Sequence, residues 1–382
     1  MRKDRNFPPV RRVAVSFGAF KAKSKSFQVV RHHSDSVVKN KNTDTAMKIQ
    51  FIQNAIDRLR GKRHIETPAP YYNDGIALSA EYPDIYNKSG RKMEMFFIRD
   101  RHFSHAPYGT FPTYFLWDRF NYGLNTHFYT GKSAKETVGA PASKYAWLLE
   151  PRTKQPQDYR AFERERSLAR EFDAVLTYDE RLLDLLDNAV FFPSCATSWV
   201  HEADADIWRK KTKNVSILSS NKKMCPLHYL RLAIAWECKK EGLADTFGTF
   251  DGGRAVTMAE TLKPYRYSIA IENQISDYFY TERLISAFIT MTVPIYVGAR
   301  KIEKFFNADG IIRIDEKQAA NIKDVLKQCS ERDYMNRLPA MRENYEKAKA
   351  YLNQHDMLYE TLFIKPERRT LHFDFSNIGG AK

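Results

Sequence analysis

The chain has 382 residues, 43% hydrophobic and 13% aromatic, which exceeds one ordinary core and supplies enough apolar surface for two domains. Its formal charge of +15 is concentrated at one end: residues 1–46 hold 11 Lys/Arg against 3 Asp/Glu, or +8, leaving +7 for the other 336 residues. That is too dilute for a nucleic-acid-binding face on the body, and without a run of about 18 apolar residues no membrane span is predicted.

Residues 1–46 are Ser/Lys-rich and aperiodic, and read as a flexible basic arm. They are Arg-rich and acid-poor, as a mitochondrial transit peptide is, but Pro8-Pro9 and a polar Lys/Ser run interrupt any long amphipathic helix. A first domain is predicted over 47–205. Within it His102 and His105 lie three apart with no third ligand at a zinc-like spacing, so surface or pocket histidines are expected there. The aromatic cluster from Phe111 to Phe128 is dense enough for a sugar-stacking surface, although a buried strand explains most of it. Ala146–Leu149 is an apolar strand end, and Pro151 blocks its continuation. Glu150 thereby stands at a strand's carboxyl end, where α/β sheets border their ligand crevice. The commoner fate of such a carboxylate is an ion pair, here with Arg152 or Lys154.

Phe172–Tyr178 is a second strand, and Phe192–Trp208 reads as the linker to a second domain at 206–350. Asp204-Ala-Asp206 matches the D-x-D metal motif of some transferases but belongs with a solvated linker. Ser216–Asn221, followed by His228 and Arg231, forms a strand-loop-helix pattern. The most telling stretch is Tyr265–Gly298: a strand to Ile271 that stops at Glu272-Asn273, then Thr281 as N-cap with Glu282 and Arg283 in the first turn. Leu284, Ile285, Phe288 and Ile289 give that helix its apolar face; Pro294 is read as its stop, and Pro294–Gly298 as a second buried strand. A helix N-terminus facing the crevice suits a phosphate, and Arg283 sits where one would bind. Ala319–Leu352 is helical and charged, a closing helix that crosses back toward the first domain, before a tail at 351–382 that is irregular from Lys365. The cysteines at 195, 225, 238 and 329 lack metal-type pairing and fit a reduced compartment, which makes the cytoplasm the default and the sequons at Asn87 and Asn214 chance matches.

The pattern I-A-I-E-N at 269–273, T-E-R at 281–283, V-P-I-Y-V-G at 293–298 and F-F-N at 305–307 resembles the donor-binding signature of family-10 glycosyltransferases, the α1,3/α1,4-fucosyltransferases of soluble bacterial or viral type. That family usually reads F-E-N and Y-V-T-E-K, so this chain departs at Ile271, Phe279 and Arg283; arginine keeps the charge of lysine but adds a bidentate fork. The Y-A-W-L-L-E-P segment at 145–151 is similar to the family's acceptor-side strand. The resemblance covers roughly 145–310, and it implies an α/β fold of GT-B type, with two Rossmann-like domains facing a cleft, 47–205 binding the acceptor and 206–350 the donor. It implies inverting transfer of fucose from GDP-fucose to an acceptor glycan hydroxyl, with Glu150 as catalytic base and Arg231, Glu272, Asn273, Phe279, Glu282 and Arg283 as donor-binding residues. His228 takes the place of Arg231 under a shifted alignment. The implied scheme needs no metal or other cofactor, no nucleic acid and no membrane. Alternatives are a transferase for another nucleotide sugar, or a retired carbohydrate- or nucleotide-binding protein.

Overall fold

The computed structural model describes residues 94–100, 112–119, 121–193 and 195–364. The basic arm, His102, His105, Asn87 and the tail from Lys365 lie outside the described residues. All described residues belong to one compact unit, Gln50–Lys382.

Two parallel sheets organise this unit. The first contains β1 (Glu94–Arg99), β2 (Phe115–Asp118), β3 (Thr126–Thr130), β4 (Ser143–Trp147), β5 (Ala174–Thr177) and β6 (Ala189–Phe191), in the order β2-β1-β3-β4-β5-β6. The second contains β7 (Lys213–Leu218), β8 (Asp245–Phe247), β9 (Tyr265–Ile271), β10 (Val293–Val297) and β11 (Ile312–Arg313), in the order β11-β10-β9-β7-β8. The strands are short and apolar on both faces because helices cover both sides, as parallel sheets require. Phe96, Phe115, Trp117, Phe128 and Trp147 fill one face of the first sheet, while Phe97, Tyr129, Ala146 and Val175 fill the other. Within the aromatic cluster Phe115, Trp117 and Phe128 are fully buried core, whereas Tyr114 and Tyr122 are exposed.

In the second sheet the chain leaves β7 toward β8 on one side and returns to β9 on the other. That reversal makes β7 and β9 a topological switch point, with a crevice beyond their carboxyl ends. Two all-parallel α/β sheets of this kind are the GT-B architecture.

The helices that matter for the site are α1 (Pro156–Arg164), α2 (Glu180–Leu185), α3 (Pro226–Glu241), α4 (Met258–Leu262) and α5 (Glu282–Ile289). The helix α5 ends at Ile289, followed by Thr290 and by Met291 with φ of +52°. Pro294 is not its stop: it lies inside β10, opposite Ser268.

A long helix, α6 (Glu331–Ala348), buries Tyr334, Leu338, Met341 and Tyr345 in the second core. The chain then crosses back, as the sequence suggests, but the packing goes further than an irregular tail. In α7 (Gln354–Tyr359) Leu358, and beyond it Leu362, enter the core of the first sheet. There Asp356 accepts from the Thr113 N–H and hydroxyl, both at 2.8 Å, and the Trp117 Nε1–H donates to His355 Nδ1 at 3.3 Å. The 354–364 stretch thus packs into the core of the first sheet and is no separate tail.

Candidate active site

The candidate site forms where β9 ends and two helices begin. Thr281 caps α5 in extended backbone, its Oγ1 accepting the Arg283 N–H at 3.3 Å. Pro226 opens α3 at a position whose N–H would have no helical partner. This places His228 and Arg231 on the first two turns of α3, and Glu282 and Arg283 on the first turn of α5. A cavity of about 240 Å³ lies at the switch point, lined by Ser219, Ser220 and Lys222 after β7, Gly248 and Thr249 after β8, Ile269–Ile271 of β9, and both Arg231 and Arg283. Gly248 has φ of +100°, and a Cβ there would stand 2.1 Å from the Ser219 carbonyl oxygen, so glycine lets the two loops meet at the rim.

Arg231 and His228 converge on one atom. Asn273 Oδ1 accepts from Arg231 Nη2 at 2.7 Å and lies 2.9 Å from His228 Nε2. The Met224 N–H donates to His228 Nδ1 at 3.1 Å, which leaves the ring proton on Nε2, pointing at Asn273. Burial, then the Arg231 charge, lowers the His228 pKa to about 4, so the ring is neutral at physiological pH. The choice between His228 and Arg231 dissolves: both are in the site. Arg231 is 5% exposed and its Nε has no hydrogen-bond partner. Burial and the neighbouring Arg283 charge pull its pKa down to about 9.

Arg283 reaches Glu282 at 2.9 Å and Glu272 at 3.8 Å. Burial would lower its pKa, but Glu282 and then Glu272 outweigh that and hold it above the ordinary value. Glu272 is fully buried and accepts from the Thr281 N–H at 2.9 Å and hydroxyl at 2.7 Å. It therefore lies beneath the cavity wall, and its position corrects the expectation of direct donor contact. Phe279 is also corrected: it is 1% exposed and packs on Tyr178 of the first domain at 4.7 Å between ring centroids. Its neighbours are core side chains of the first domain.

Glu150 follows the end of β4 and faces the same region. Its carboxylate is partly exposed and pairs with Lys154, while Arg152 is taken by Asp179 and Glu163. The Tyr159 hydroxyl donates to the Glu150 carbonyl at 2.6 Å, fixing the turn. Thr153 then spans the domains, its N–H donating to Gln274 Oε1 at 3.1 Å and its hydroxyl to the Asn273 carbonyl at 3.0 Å. The Glu150 turn and the Asn273 loop are thus joined directly. A second link is Cys195, whose thiol donates to the Leu149 carbonyl at 2.9 Å and whose own carbonyl accepts from the Glu282 N–H at 3.0 Å.

Thr153, Cys195 and the rim residues Lys222, Gly248 and Thr249 carry no signature at the sequence level, whereas the Lys154 pairing with Glu150 is one the sequence offers. The one available signal was F-G-T-F-D-G-G at 247–253, a glycine-rich turn directly after a strand. Asp204 and Asp206 are exposed and paired with Lys210 and Arg209, as a solvated linker should be.

Residues 208–362 match the family model described as glycosyltransferase family 10 (fucosyltransferase) C-term. Among solved structures, the chain is similar to an α1,3-fucosyltransferase with GDP at 14% identity, covering 70% of this chain and 94% of that one, with a TM-score of 0.42. It is also similar to an α-glucosyltransferase in complex with UDP-glucose and DNA containing an abasic site, at 9% identity, 75% and 94% coverage and a TM-score of 0.43. The chain is a glycosyltransferase of GT-B architecture. More particularly, its 208–362 segment is similar to the C-terminal domain of the family-10 fucosyltransferases. No helix among the described residues is long and apolar enough to cross a membrane.

Proposed function

We propose that this chain transfers fucose from GDP-fucose to a hydroxyl of an acceptor glycan, with inversion at the sugar carbon. The observation that carries the reading is the pair of arginines on the cavity: Arg231 and Arg283 are held together with Arg231 Nε unpaired, an arrangement that an anionic ligand relieves. A diphosphate supplies that anion and accepts charge-assisted hydrogen bonds from both guanidiniums. As the bond to the sugar breaks, negative charge grows on the departing GDP, and the two guanidiniums stabilise it in place of a metal. Asn273, its Oδ1 engaged by His228 and Arg231, presents its Nδ2 donors to the ligand, and Glu282 accepts from sugar hydroxyls.

Glu150 takes the proton from the acceptor hydroxyl on the opposite side of the sugar, across the Thr153 bridge from Asn273. The four free cysteines suit a reducing compartment, and the proposed location is the cytoplasm. Glu150→Gln tests the mechanism: turnover should fall at least about 100-fold, the usual scale for loss of a general base, while GDP still binds. Near-normal turnover in that variant removes Glu150 from the reaction. GDP binding with no transfer or hydrolysis in the wild type would instead make this a retired enzyme.

A further inference from the structure

The buried Glu272 is a poor donor ligand but is well placed to govern Arg283. Its Oε1 accepts the Thr281 N–H and its Oε2 the Thr281 hydroxyl; the same Thr281 oxygen accepts from Arg283 N and Nη1, each at 3.3 Å. The cradle is closed from below by Gly298, where a Cβ would come within 2.6 Å of Glu272 Cγ and 2.3 Å of the Tyr296 hydroxyl. One carboxylate thus holds the cap of α5 and, through it, the cavity-facing guanidinium.

Arg283 serves Glu282 and Glu272 at once. A diphosphate arriving at that guanidinium brings negative charge toward a carboxylate already 3.8 Å from the same nitrogen, in surroundings that screen little. We propose that Glu272 is a positioning residue whose proton balance is coupled to donor binding: as the diphosphate takes over the guanidinium, Glu272 picks up one proton from solvent. This rests on the diphosphate reading of the cavity and adds a regulator to it.

Two features support the coupling. Burial, resisted by the Arg283 charge and aided by Glu282, raises the Glu272 pKa to about 7, so the proton is available near physiological pH. The other groups facing it keep their protonation there: His228, with its pKa near 4, is neutral, burial pushes the Cys195 thiol and the Tyr296 hydroxyl well up, and Arg231 and Arg283 are cations. Arg231 carries the remaining nearby charge on the α3 side.

The test is calorimetric titration with GDP-fucose, whose diphosphate diester has no ionisation of its own near neutrality, in buffers of different ionisation enthalpy between pH 6 and 8, below the range in which Arg231 titrates. The wild type should take up about half a proton per ligand near pH 7.5, and its affinity should weaken with rising pH by up to tenfold per unit, the limit for one linked proton. Glu272→Gln should abolish both the uptake and the slope. Thr281→Val, which removes a hydrogen bond to the ionised carboxylate, should move the uptake to higher pH. Binding without proton uptake in the wild type overturns the proposal, as does uptake that persists in Glu272→Gln. Should GDP-fucose not bind, UDP-glucose and ADP-glucose are titrated in the same way; uptake with either would support the coupling while rejecting the guanine donor. Failure of all three to bind contradicts both the coupling and the donor site.

Discussion

Replacing Arg283 by alanine should weaken GDP more than replacing Arg231, and the structure gives the reason. Each guanidinium offers the diphosphate a charge-assisted contact worth about 1.5–3 kcal/mol, or roughly 10- to 150-fold in affinity. Removing Arg231 forfeits such a contact but also relieves a buried cation that Arg283 already disfavours. What it leaves behind, His228 and Asn273, is neutral. Removing Arg283 leaves Glu282 and the fully buried Glu272 close to the ligand's negative charge without their shared partner. The loss for Arg283→Ala should therefore reach the upper end of the range, that for Arg231→Ala the lower, and Arg283→Lys should be the mildest. Calorimetry with GDP, alongside melting curves to verify folding, reads these differences. Affinities within twofold of the wild type in both alanine variants would place the donor elsewhere, and a larger loss from Arg231→Ala would refute the argument about uncompensated carboxylates.

Phe279→Ala should act on stability, costing about 3–5 kcal/mol in denaturant unfolding as other buried Phe truncations do, because the ring fills the core against Tyr178. A loss below about 1 kcal/mol with a raised donor KM would restore Phe279 to the donor site. The pH dependence of stability has a definite sign. Burial lowers His127 and His228 to about 4 and His355 to about 3, against 6.5 when unfolded, so their contribution is complete above about pH 6.5 and lost as pH falls toward 4. Glu272 opposes them: raised from 4.5 to about 7, it contributes fully below pH 4.5 and loses that contribution as pH rises through 7. Near pH 5.5 these four groups should give an uptake of roughly two protons on unfolding, measurable from the slope of stability against pH. Replacing His355 by glutamine should lower that slope by about one proton, and an unchanged slope would rule out the assigned histidine.

The donor half was legible because its signals are local. An alternating-to-apolar strand, a Thr cap and an acidic first turn fix β9 and α5 within one stretch of chain, and they fold as read. The pattern could not distinguish which carboxylate faces the ligand. Glu272 and Glu282 both flank the loop, and burial of the former depends on Tyr296 and Gly298 from another strand. Phe279 was misread for the same reason, since its partner Tyr178 lies about a hundred residues away in another domain. The Glu150 turn stands past a strand end as read, but Thr153 and Cys195 join the halves through contacts that no spacing encodes. The return of α7 to the first sheet likewise rests on Thr113, Trp117 and their distant partners Asp356 and His355.

The most direct test is a transfer assay with GDP-fucose, UDP-glucose and ADP-glucose against a glycan panel, reading released nucleotide and the anomeric configuration of the product by NMR. Fucose transfer from GDP-fucose alone, with a product anomer opposite to the donor's and with activity lost in Glu150→Gln, is the predicted result. Transfer from a uridine or adenine donor in place of GDP-fucose, or a product that retains the donor's configuration, would contradict it.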